Sequence, residues 1–126
     1  MRESLRAKAD RISDAPRYIG LSEFASITGA DARSLSRWLH NGSVWVPRPA
    51  VVLGKRDISG WEREAAEKWE PGLPGVDRPE PAKFLNAAQM QEKWGVTRDL
   101  LWKAIVEDHT ISMPAMWLDG RPGWPA

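Results

Sequence analysis

Apolar and polar positions follow one plan along this chain, and they follow it twice. Phe24 and Ile27 make a short apolar stripe behind Ser22, whose hydroxyl suits an N-cap, and Gly29 ends it. Asp31 opens a second helix in which Leu35, Trp38 and Leu39 fall at the i, i+3, i+4 spacing of a single face. Arg33, Ser34, Ser36 and Arg37 fall mostly on the other face, and Asn41-Gly42 supplies the left-handed stop. The pattern to this point is helix, tight turn, helix. The period then shortens: Val44-Trp45-Val46 and Ala50-Val51-Val52-Leu53 lead into the polar tip Gly54-Lys55-Arg56-Asp57, which predicts a small hairpin. Ser59 and Glu62 have capping-box spacing for a helix over 61–69. Ahead of this unit, Leu5, Ala9 and Ile12 share one side of a helix predicted over residues 2–13.

The plan recurs at a constant offset of 66, residues 18–39 on 84–105 without a gap. Tyr18-Ile19 falls on Phe84-Leu85, Gly29 on Gly95, Leu35 on Leu101, Arg37 on Lys103 and Leu39 on Ile105. Farther on, Pro49-Ala50 matches Pro114-Ala115, and Gly60-Trp61 matches Gly123-Trp124 after a short deletion. In the second copy Asn86 with Gln89 caps the first helix and Thr97 the second. Residues 113–118 begin a hairpin whose tip is Asp119-Gly120-Arg121-Pro122. Between the copies, residues 70–82 hold four prolines and two glycines in 13 positions, a linker composition. Such a stiff linker reaches about 40 Å, enough to set two modules about 34 Å apart, one turn of DNA. The expected organisation is a helix plus a first unit over 1–69, a linker over 70–82, and a second, shorter unit over 83–126.

Composition sharpens this only in places. With no cysteine there are no disulfides or thiolate metal sites, and two separated histidines, His40 and His109, do not suggest zinc. No apolar run is long enough for a membrane span, and no signal-peptide core follows the charged N-terminus, so the cytoplasm is the expected compartment. The net charge of +1 conceals an asymmetry: residues 1–60 carry ten Lys/Arg against six Asp/Glu, residues 61–126 eight against eleven. Neither a phosphate-cradling glycine loop nor a nucleophile–base pair is apparent, and Glu62, Glu64, Glu67 and Glu70 suit a solvated helix face, so neither an enzyme nor a cofactor is expected.

The run from Tyr18 through Ser22-Glu23-Phe24-Ala25 to Gly29, followed by Arg37-Trp38, Pro47-Arg48-Pro49 and Gly60-Trp61, resembles the MerR-like winged helix-turn-helix superfamily. Within it the AlpA-like regulators and phage excisionases are the nearest in pattern. The resemblance spans 18–69 well and 84–124 weakly, where Ala88-Gln89 replaces Ser-Glu and Ala104 stands in place of Trp38. It implies a mainly α fold with small β wings, two tandem winged units, and sequence-specific binding of double-stranded DNA. It also implies a role in phage or mobile-element regulation, as an excisionase acting in recombination or as a transcriptional regulator.

The candidate DNA contacts are Arg33, Ser34, Ser36 and Arg37 on the second helix, Arg48 before the second strand, and Lys55 and Arg56 at the wing tip. Arg98, Lys103 and Arg121 are the second-copy set. Trp38, Trp61 and Trp124 read as core, whereas Trp102 marks either a protein-binding surface or a core contact. The alternative function is an interaction module for an integrase, polymerase or terminase partner. A monomer or weak oligomer is expected.

Overall fold

The structure, a computed structural model, describes residues 3–75 and 79–126. After α1 (Leu5–Ile12), the first repeat runs β1 (Arg17–Tyr18), α2 (Leu21–Thr28), α3 (Ala32–Asn41), β2 (Val51–Leu53), β3 (Ile58–Gly60) and α4 (Arg63–Lys68). The second runs β4 (Ala82–Leu85), α5 (Ala87–Trp94), α6 (Arg98–Val106), β5 (Met116–Leu118) and β6 (Arg121–Pro125). The expected N-terminal helix is present as α1; Arg2, assigned to it, lies outside the described residues, as do Val76, Asp77 and Arg78 of the linker.

Local chemistry explains most boundaries. Asp31, Asn86 and Thr97 cap α3, α5 and α6 as their side chains accept from backbone N–H groups, and Asn86 and Gln89 form the expected capping box. Gly29, Gly42 and Gly95 end α2, α3 and α5 in the left-handed conformation. Two caps differ from expectation. Ser22 does not cap α2: the helix begins at Leu21, with Gly20 at the N-cap and no side-chain cap, so Ser22 lies within its first turn. Ser59 lies in β3, and α4 starts after Glu62 with no side-chain cap, because Ser59 is taken into the ladder opposite Val52.

The principal correction concerns fold class. The chain is not mainly α with small β wings: it is a mixed α/β molecule around one six-stranded mixed sheet. The strand order is β1-β5-β6-β4-β2-β3, and reciprocal 2.8 Å hydrogen bonds between Ile19 and Trp61 bring β3 back toward β1, nearly closing a barrel. Both hairpins, β2–β3 and β5–β6, are antiparallel, and each lends its outer edge to the other repeat. β1 pairs parallel with β5, with Tyr18 opposite Leu118, and β4 pairs parallel with β2, with Phe84 opposite Leu53. The repeats are thus related by a pseudo-two-fold that exchanges strands. Paired strands lie about 4.8 Å apart, so the repeats meet edge to edge and not a DNA turn apart.

The reason is visible in the strands. Val51-Val52-Leu53 and Met116-Trp117-Leu118 are buried at every position. A wing washed by solvent on one face would alternate; a run apolar on both faces needs cover on both sides. Val51, Leu53, Met116 and Leu118 point into the barrel, two from each repeat. Trp117 points the other way, into a core with Ala9, Leu101, Trp102, Ile105 and Trp124. The first repeat has its own helical core around Phe24, Leu35, Trp61 and Trp69. Trp61 and Trp124 repeat one device: each indole donates to an upstream carbonyl, Trp61 to Pro47 at 2.7 Å and Trp124 to Ser112 at 2.9 Å.

Two matched junctions set what surrounds the helix N-termini. The end of β1 leads into α2 beside the β5–β6 tip, where the Gly20 N–H donates to Asp119 Oδ1 at 3.1 Å. The end of β4 leads into α5 beside the β2–β3 tip, where a Cβ on Gly54 would lie 2.7 Å from Asn86 Nδ2. At each junction one partner is glycine and the other brings an Asx side chain, with the roles reversed between repeats. The α2 end therefore has a carboxylate against it, and the α5 end does not.

Candidate nucleic-acid interface

α3 is fixed along its inner face. Leu35 is fully buried, with Trp38 and Leu39 packed against the same core. Beneath it, residues 44–47 are pinned by Trp69 Nε1 donating to the Trp45 carbonyl at 2.8 Å and by the Trp61–Pro47 bond. Its outer face carries Arg33 and Arg37, both exposed, one helical turn apart, and with no hydrogen bond or ion pair among the described residues. Ser36 is exposed beside them, whereas Ser34 is half-buried and its Oγ lies 3.4 Å from the capping Asp31 carboxylate. Arg48 is exposed and borders the cleft that Trp38 and Trp45 form at the C-terminal end of α3. A helix held on one side and bearing unpaired guanidinium groups on the other can present them to guanine edges or to phosphates.

Lys55 and Arg56 are not part of that surface. The parallel pairing of β2 with β4 carries the hairpin tip onto α5 of the second repeat, where Lys55 and Arg56 line a cleft with Asn86, Ala88 and Glu92. Lys55 lies 3.6 Å from Glu92, both side chains largely solvated, so this pair contributes little stability. The wing expected beside α3 is thereby displaced, because its outer edge is a shared edge of the barrel.

The second-repeat candidates divide. Arg98, the first residue of α6, and Arg121, the first of β6, are exposed and line one cleft of about 310 Å³ at the N-terminus of α5. Lys103 is exposed on α6 and lines none of the described clefts around it. Arg6 of α1 joins Arg98 and Arg121, its guanidinium held by a 2.8 Å hydrogen bond to the Gly120 carbonyl. Sequence reasoning missed Arg6 because its partner is 114 residues away and nothing local signals the contact. Trp102 proves to be core: it is 3% exposed, with its ring centroid 5.9 Å from that of Trp124. The packing of α1 on α6 covers a position that would otherwise face solvent.

The resolved pKa shifts lie elsewhere, in surface ion pairs. The hydrogen bond from Arg11 holds the Glu3 carboxyl below its ordinary value, and Lys68 does the same for Glu64. No helix among the described residues is long and apolar enough to cross a membrane. No protein-family model, curated protein or solved structure matches the chain.

Proposed function

We propose that this protein binds double-stranded DNA in a sequence-specific manner, with α3 as the helix that enters the major groove. The observation that carries the reading is the pair Arg33 and Arg37, unpaired and exposed on a helix whose opposite face is locked into the core. The rigid helix spares the cost of ordering backbone on docking, and each guanidinium fork matches guanine O6 and N7 bidentately. The basic balance of residues 1–60 favours approach of a polyanion to this repeat as a whole. A place in phage or mobile-element regulation, as an excisionase or transcriptional regulator, rests on the MerR-like pattern of residues 18–69 alone. Selection of binding sites from random duplex DNA tests the reading: an enriched motif supports it, and an unenriched pool after repeated rounds removes it.

A second reading, binding of a protein partner, is favoured by one observation. Trp94 and Leu100, on either side of the Gly95 turn, are 51% and 52% exposed. Large apolar side chains exposed that close in sequence suit a protein contact. Under this reading Trp94→Ala abolishes capture of the partner and leaves DNA binding intact.

A further inference from the structure

The face at the N-terminus of α5 combines features that no single element supplies. Asn86 and Gln89 occupy each other's capping groups, which leaves the Ala87 and Ala88 N–H groups of the first turn without an acceptor among the described residues. Both residues line the cleft that holds Arg6, Arg98 and Arg121, drawn from α1, α6 and β6. Asn86 and Ala88 also line the adjoining cleft with Lys55 and Arg56. Five cationic side chains therefore flank one helix N-terminus, against Glu92, which pairs with Lys55, and Asp99 at the border of the neighbouring cleft. The second, independent observation is Trp102. It lines the Arg6–Arg98–Arg121 cleft, is 3% exposed, and its Nε1 is the one buried side-chain donor without a partner among the described residues. Trp61, Trp69, Trp117 and Trp124 all have acceptors for theirs. An orphaned buried donor is costly unless something outside the chain accepts from it. The pseudo-equivalent place at α2 has the opposite character: Asp119 sits against the Gly20 N–H, and Ala32, Ser36 and Ile58 replace Arg98, Trp102 and Arg121 in the repeat alignment.

The geometry points to an anion site at the N-terminus of α5, built for a phosphate group that is either free or carried on a nucleic-acid backbone. The phosphate accepts from the Ala87 and Ala88 N–H groups, is flanked by Arg98 and Arg121, and draws the Trp102 indole N–H toward an acceptor. Arg6, tethered to Gly120, closes one side, and Lys55 and Arg56 extend the positive field along the adjoining cleft. The backbone-borne case rests on the DNA-binding reading above and adds a second contact surface to it; the free-phosphate case does not depend on that reading.

The test follows backbone and indole N–H signals of the full ¹⁵N-labelled chain by NMR during titration with inorganic phosphate at constant ionic strength. A Trp102→Phe spectrum identifies the Trp102 indole signal. The expected result is saturable shifts confined to Ala87, Ala88 and Trp102 and their neighbours, with affinity lowered roughly tenfold per arginine removed in Arg98→Gln/Arg121→Gln. Both arginines are exposed, so the double variant is expected to keep the fold, and the wild-type titration tests the site independently of it. Unsaturable or dispersed shifts, or shifts unchanged in a folded double variant, overturn the site. A second arm replaces phosphate by a short duplex, with the wild type and Arg33→Ala/Arg37→Ala. Movement of the same signals assigns the site to the backbone, and the Arg98→Gln/Arg121→Gln salt slope then falls by about 1.8. Duplex binding that leaves these signals still, with phosphate moving them, assigns the site to a free phosphate compound. A duplex that binds nowhere ends the DNA reading while the phosphate arm stands.

Discussion

Gly60→Ala separates a closed barrel from a pair of free wings by the sign of one stability change. Gly60 ends β3 opposite Val51, in a backbone conformation open to any residue. In a hairpin standing alone, alanine there narrows the unfolded ensemble and stabilises by about 0.4–1 kcal/mol. In this structure an added Cβ lies 2.5 Å from Leu118 Cδ1, 2.8 Å from Val51 Cγ2 and 3.0 Å from Leu118 Cγ. Leu118 belongs to the other repeat and is 1% exposed in the barrel interior, so neither it nor Val51 has room to retreat. Overpacking of this kind costs about 1–3 kcal/mol, which exceeds the entropic gain. The expected net is a destabilisation of about 0.5–2 kcal/mol, read as a lower urea midpoint with unchanged m-value. Shortening the opposing side chain should restore the space, so Gly60→Ala combined with Leu118→Ala should be less destabilising than the sum of the two singles by at least about 0.5 kcal/mol. Gly60→Ala that raises stability, or strict additivity with Leu118→Ala, would refute the shared interior.

The other predictions concern the junctions and the surface. Asp119→Ala removes the acceptor from the Gly20 N–H and costs about 1 kcal/mol by thermal unfolding. Gly20→Ala displaces the same carboxylate, so the two changes overlap and the double variant is no worse than the more destabilised single. The Glu3 carboxyl titrates below 4.5 because Arg11 bonds its charged form, and Arg11→Ala returns it toward that value in an NMR titration. Because the folded-state pKa is the lower one, whatever this pair adds to stability is present above 4.5 and lost as pH falls through the folded value. Trp117→Ala empties a fully buried site between α1 and the barrel and lowers stability by about 3–5 kcal/mol in urea unfolding.

Much of the local structure was legible. The caps Asp31, Asn86 and Thr97 and the breaks at Gly29, Gly42 and Gly95 act through neighbours in sequence. The joining of the repeats was not, because it lies in edge pairings such as Tyr18 opposite Leu118 that span a hundred residues. The warning was in Val51-Val52-Leu53 and Met116-Trp117-Leu118, which do not alternate as half-solvated strands should. The candidate contacts fared by the same rule. Arg33 and Arg37 depend only on the phase of α3, and they are exposed as that phase requires. Lys55, Arg56 and Arg6 take their surroundings from the other repeat, so their grouping around α5 was beyond local reasoning.

In the proposed complex α3 reads duplex DNA through Arg33 and Arg37. Fluorescence anisotropy of the selected duplex, comparing the wild type with Arg33→Ala/Arg37→Ala at one fixed salt concentration, tests it most directly. Two bidentate arginine–guanine contacts are worth about 2–6 kcal/mol, so the double variant should bind at least about 30-fold more weakly and lose its preference for the selected site over random sequence. Undiminished affinity and preference in a folded double variant would contradict it.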